Sequence, residues 1–169
     1  MTSTAALPSL DTTSDSGAAL GTSIAAALGV GESYTQSRHL YEQLYGNTRY
    51  DRTTRALTVR TYRIRALMLP VSLGVAAHAA LGQRQLPIFS VGNDAIRVFL
   101  TAPPSPDDHV ARCNTDLFKL AVTAVGPGTE LALPTPGNDR RQWLNGLPTE
   151  DCLPTYVEVV DAVIGARHE

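Results

Sequence analysis

The sequence predicts an α+β protein with a single compact domain over residues 33–169, preceded by an extended N-terminal arm over residues 1–32. The chain of 169 residues falls in the range of about 100 to 200 that one domain usually occupies. Short runs rich in β-branched and aromatic residues predict strands in the middle of the chain. Apolar residues at helical spacing before, between and after those runs predict three to four helices. We therefore expect helices packed on a mixed or antiparallel sheet.

The arm is rich in Ser, Thr, Ala and Gly and has few bulky side chains. Such a segment cannot bury enough apolar surface to offset its own ordering entropy. Within residues 17–30, however, four apolar residues recur at helical spacing. They are Leu20, Ile24, Ala27 and Leu28. We expect the arm to become ordered on a neighbouring subunit during assembly.

Three helices are predicted from apolar spacing and from flanking residues. Residues 34–45 begin with a capping box, and Gly46 follows the last apolar position as a helix stop. Residues 71–81 are rich in alanine and predict a buried helix. Residues 155–165 carry apolar side chains at the i, i+3, i+4, i+7 spacing of one helical face. Their β-branched content leaves a strand at 156–160 as an alternative.

Three runs predict strands. Residues 56–69 are predicted as one strand whose alternation slips by one near Arg60, where a bulge would keep both apolar sets on one face. Residues 86–91 and 95–101 flank a Gly-Asn-Asp turn and predict a hairpin. Because Pro87 cannot donate a hydrogen bond to a neighbouring strand, we expect its strand at the edge of the sheet.

The next part of the chain is less definite. Asp107 or Asp108 can cap a helix, but residues 116–125 fit a helix or a strand equally well. A Gly-Pro-Gly sequence predicts a turn into a short strand at 129–133, and residues 134–141 predict an exposed loop.

Charge divides the chain into three blocks. Residues 1–32 have a net charge of −3 and no Lys or Arg, residues 33–105 have +6, and residues 106–169 have −5. Opposite blocks can pair within the fold, between subunits or with a polyanion. The charge of the arm excludes a shell protein whose basic N-terminal arm binds the genome. Any contact with nucleic acid is expected to come from the folded domain.

The basic block combines arginine with tyrosine. Arginine contacts phosphates and tyrosine stacks on unpaired bases, so a strand face carrying both could hold single-stranded nucleic acid. The same residue types are enriched at protein interfaces. The candidate contact residues for either partner are Arg49, Arg52, Arg55, Arg60, Arg63, Arg65 and Tyr50.

Patterns typical of catalysis or cofactor binding do not occur. His109 and Cys113 are four residues apart, but Cys152 belongs to no metal-ligand motif, so we expect no metal and no cofactor. The sequence has neither a GxSxG motif nor a phosphate-binding loop. His78 lies among alanines and is expected to be a core or interface residue.

The sequence thus favours a structural subunit of a larger self-assembling particle, such as a viral or phage coat, minor capsid or connector protein, rather than an enzyme. Its expected partners are copies of itself or other shell proteins, with packaged nucleic acid as a further candidate, but no membrane and no small-molecule substrate. Lacking an apolar span or a basic leader ahead of Arg38, it is expected in the virion or cytoplasm. The alternatives are a nucleic-acid-binding module and, third, an enzyme with an unfamiliar site near His109.

Overall fold

The computed structural model describes residues 33–82, 84–106, 108, 110–149 and 153–166. The predicted arm over residues 1–32, with its helical stretch at 17–30, lies outside these residues. Within them, four helices and two antiparallel sheets confirm the predicted α+β class.

The elements alternate along the chain. The helices are α1 (33–45), α2 (Val71–Ala80), α3 (Val110–Lys119) and α4 (Tyr156–Gly165). The strands are β1 (Thr48–Asp51), β2 (Ala56–Arg60), β3 (Arg65–Pro70), β4 (Ile88–Val91), β5 (Ile96–Thr101), β6 (Thr123–Val125), β7 (Glu130–Ala132) and β8 (Arg141–Trp143). One sheet has the order β1-β2-β7 and the other the order β6-β3-β5-β4-β8, and every pair is antiparallel.

Two cores lie on opposite faces of the five-stranded sheet. Alternate residues of a strand point to opposite faces. On β3, Leu67 and Leu69 therefore pack against α2, α3 and α4, whereas Ala66 packs towards the three-stranded sheet and α1. The molecule consequently has three layers: three helices, the five-stranded sheet, and the three-stranded sheet with α1.

The prediction of one bulged strand over 56–69 is wrong. The run forms β2 and β3, which belong to different sheets, and the chain crosses between them at residues 61–64. The crossing is held by hydrogen bonds: Thr61 Oγ1 donates to the carbonyls of Gly126 and Thr129, and the Arg65 guanidinium donates to those of Thr61 and Ile64. The slip in alternation therefore marks a change of sheet rather than a bulge.

The hairpin of β4 and β5 is confirmed, but its predicted edge position is wrong. Strand β4 lies between β5 and β8. Pro87 precedes the strand, where its missing N–H costs no sheet hydrogen bond, and its carbonyl accepts from the Leu100 amide. The predicted exposed loop over 134–141 ends in β8, which covers the expected edge of β4.

The structure decides between helix and strand for the two segments that the sequence left open. Residues 116–125 are both helix and strand, because α3 ends at Lys119, Ala121 takes a φ of 56°, and β6 begins at Thr123. Residues 156–160 are helical. At the start of α4, the Thr155 hydroxyl accepts from the Glu158 amide and the Glu158 carboxylate accepts from the Thr155 amide.

Candidate functional site

A cleft of about 340 Å³ opens where the end of α1, the outer face of the three-stranded sheet and the crossing at 61–64 meet. We call it the arginine cleft. It is lined by Tyr45, Gly46, Asn47, Arg49, Thr58, Arg60, Tyr62, Arg63 and Glu130. Three of the six arginines predicted as contact residues therefore line one cleft.

Strand register brings two of these arginines to one face. Arg49 on β1 lies directly opposite Thr58 on β2, and Arg60 follows Thr58 by two residues. Directly opposed residues, and residues two apart, share a face of a sheet. The intervening Val59 points into the core. Arg49 and Arg60 therefore both project from the outer face.

The third arginine, Arg63, is placed by the end of α1. Gly46 stops this helix with a φ of 91° and a bond from its amide to the Glu42 carbonyl. A Cβ at Gly46 would lie 3.3 Å from Cδ of Arg63 and 3.9 Å from its Nη1. The side chain of Arg63 thus rests on the helix end, where the helix dipole favours positive charge.

Tyr62 lies at the rim of the cleft and is 62% exposed. Gly128, with a φ of 75°, lies under its ring, and a Cβ there would be 3.1 Å from the hydroxyl and 3.2 Å from two ring carbons. One part of the ring is therefore supported by backbone, and the rest is open to a partner.

The cleft is strongly cationic. Glu130 on β7 is the one carboxylate among its lining residues, and it lies opposite Arg60 on β2. Its Oε1 accepts from the buried Thr58 hydroxyl at 2.9 Å. Four ion pairs form among the described residues, and their cations are Arg38, Arg84, Arg97 and Lys119. None of the three cleft arginines takes part in them.

The other four candidate residues lie elsewhere. Arg52 and Arg55 belong to the turn at the far end of the β1–β2 hairpin. Arg65 is directed to backbone carbonyls of the crossing. Tyr50 is on the opposite face of β1 from Arg49, and its ring meets that of Tyr34 edge-on at 5.6 Å.

A second cavity of about 650 Å³ lies beside α2 and includes His78, Arg84 and Asn145. The Asn145 amide nitrogen is 3.4 Å from Nε2 of His78 and donates to the Leu86 carbonyl. Burial and the nearby Arg97 guanidinium lower the pKa of His78. Both effects favour the neutral form of this histidine, which already contacts Asn145.

Within the described part of the chain, no three His, Cys, Asp or Glu residues are grouped so as to hold a metal ion. His109, Cys152 and the side chain of Cys113 lie outside the described residues. None of the described helices is long and apolar enough to cross a membrane. No family model, characterised protein or solved structure matches the chain.

Proposed function

We propose that the protein is a structural subunit of a self-assembling particle, such as the coat, minor capsid or connector protein of a virus or phage, and that it acts without catalysis in a virion or the cytoplasm. In this function the arginine cleft is a contact surface between subunits.

The proposal depends on the unbalanced charge of the cleft. Arg49, Arg60 and Arg63 face Glu130 alone among the lining residues, although the whole chain has a net charge of −2. Like charges gathered at one site repel each other unless a counter-charge approaches. An acidic surface of another subunit would supply that charge and fix the geometry of the contact.

Exposed aromatic surface also supports assembly. Phe118 on α3 is 82% exposed, next to Leu117, which is buried. Phenylalanine is among the residue types enriched at subunit interfaces, so Phe118 is a candidate contact residue. Phe118 and the arginine cleft lie on different elements, so one subunit could use them for different neighbours.

A second candidate function is binding of single-stranded nucleic acid, and the placement of Tyr62 favours it. Its exposed ring lines the same cleft as Arg60 and Arg63. Guanidinium groups beside an accessible aromatic ring are the combination that grips a phosphate backbone and stacks on a base.

Assembly is tested by the mass of the full chain in solution, measured by light scattering in about 50 mM and about 1 M salt. We expect a mass above that of the monomer, reduced by salt and by the double change Arg60→Glu/Arg63→Glu. The matched control is Arg52→Glu/Arg55→Glu, which makes the same charge change at the other end of the hairpin. A chain that stays monomeric at high concentration would refute the proposal.

Nucleic-acid binding is tested by fluorescence anisotropy with a labelled oligouridylate. Three phosphate contacts by the cleft arginines would give a slope of about −2 for log K against log salt. Tyr62→Ala would weaken binding by about 1–3 kcal/mol through lost stacking. Equal binding by the cleft variant and its control would exclude this function for the cleft.

A further inference from the structure

In the proposed assembly the arginine cleft contacts an acidic surface of another subunit, and most acidic groups of the described domain are already engaged. Glu42, Asp94, Asp116 and Glu158 form ion pairs with other cations. Asp51 accepts from the amides of Thr53 and Thr54 in its own turn, and Asp108 accepts from the Ser105 amide. These carboxylates would have to give up existing bonds to reach a cleft on another copy.

The N-terminal arm has the complementary charge. Residues 1–32 include Asp11, Asp15 and Glu32 and contain no Lys or Arg. Asp11 and Asp15 stand close together in the sequence LDTTSD. Their carboxylates can accept paired hydrogen bonds from guanidinium groups, and Leu10 beside them could lie on the Tyr62 ring.

The arm is long enough to reach a cleft beyond its own helix α1. The arm joins α1 at residue 33, and the other end of α1 forms one wall of the cleft. Helix α1 has 13 described residues and is about 20 Å long. Asp15 is 18 residues before Ser33, and such a length spans up to about 60 Å when extended. The acidic segment can therefore reach beyond its own subunit.

We propose that the arginine cleft of one subunit receives the segment around Asp11 and Asp15 from the arm of a second copy, an inference that rests on the proposed assembly function. The contact is head to tail, because the arm and the cleft are different surfaces. Contacts of this kind build rings or filaments when each subunit offers one donor and one acceptor.

Mixing two full-length variants tests this contact. Asp11→Lys/Asp15→Lys reverses the charge of the arm, and Arg60→Glu/Arg63→Glu reverses the charge of the cleft. Each alone is expected to lose assembly, whereas an equimolar mixture should regain it, because each arm then meets a cleft of opposite charge. Mixing the arm variant with Arg52→Glu/Arg55→Glu should not produce the alternating assembly. A third variant carries all four substitutions in one chain. If this variant regains assembly and the mixture does not, the arm docks within its own subunit, which would overturn the proposal.

A binding measurement separates this inference from the assembly function. A labelled peptide of residues 5–20 is titrated with the full-length arm variant, whose own arm is repelled from the cleft. When the arm variant also carries Arg60→Glu/Arg63→Glu, the peptide should bind about tenfold or more weakly. When it carries Arg52→Glu/Arg55→Glu instead, peptide binding should not change. If the native chain assembles but the peptide does not bind, the inference fails while the proposed function stands. A cleft that binds oligouridylate and ignores the peptide would also overturn it.

Discussion

The hydroxyl of Tyr41 joins α1 to two distant parts of the chain. It donates to the Pro134 carbonyl at 2.7 Å and accepts from Trp143 Nε1 at 2.7 Å, and the residue is 1% exposed. Tyr41→Phe keeps the ring and removes both bonds. A buried polar group left without its partner costs about 1–3 kcal/mol. With two such groups, we expect the free energy of unfolding to fall by about 2–4 kcal/mol.

Chemical denaturation and thermal melting measure this loss. For a domain of this size a change of 1 kcal/mol moves Tm by about 2–4 °C, so Tyr41→Phe should lower Tm by about 4–16 °C. The matched control is Tyr50→Phe, because Tyr50 is 46% exposed, and its effect should stay within about 0.5 kcal/mol. A loss for Tyr41→Phe no larger than that of the control would show that the two hydrogen bonds of the Tyr41 hydroxyl do not stabilise the fold.

The dependence of stability on alkaline pH provides a second test of Tyr41. Burial raises the pKa of Tyr41 to about 12, against a smaller lowering by the bond from Trp143. The unfolded chain loses this proton near pH 10, before the folded chain does. Stability should therefore fall as pH rises from about 10 to about 12, by on the order of 3 kcal/mol. Tyr41→Phe should show a shallower decline, and an identical decline would contradict the assignment.

Three further changes probe other contacts. Gly74→Ala would place a Cβ 2.6 Å from Cβ and Cγ of Arg97, so α2 must shift away from β5. We expect the free energy of unfolding in urea to fall by about 1–3 kcal/mol. An unchanged urea midpoint would show that α2 and β5 do not pack this closely. Thr155→Ala should cost about 1 kcal/mol through loss of the capping box. Bonds from the Thr155 amide and hydroxyl lower the pKa of Glu158. Thr155→Ala keeps the amide and removes only the hydroxyl, so it should reduce in part the stability lost as pH falls below the usual glutamate range, and a steeper loss than in the native chain would contradict this. Phe118→Ser should leave thermal stability within about 0.5 kcal/mol but lower the mass of the assembly in light scattering; a mass equal to that of the native chain would exclude Phe118 from the interface.

The helices could be predicted from sequence because their signals are local. The face of α4 carries Tyr156, Val159, Val160 and Val163, and all four are buried. The sheet positions depend on contacts far along the chain. Strand β8, for example, covers β4 from residues about 50 positions later. Neither composition nor spacing in the hairpin reveals that partner.

The arginine cleft could be predicted only in part. Its residue types were visible in the basic block, but their grouping depends on the register that sets Arg49 opposite Thr58 and on the change of sheet after Arg60. A single bulged strand over 56–69 would place Tyr62 on the same face as the apolar residues, whereas the crossing exposes it. The slip in alternation at Thr61 was the available sign of that crossing, and a bulge produces the same pattern.

Sedimentation velocity of the native full-length chain and of Arg60→Glu/Arg63→Glu, at low and high salt, tests most directly whether the cleft holds subunits together. If the cleft is the subunit contact, the native chain forms a species larger than the monomer that dissociates at high salt, and the variant is a monomer at both salt concentrations. Identical sedimentation of the two proteins, as assemblies or as monomers, would contradict it.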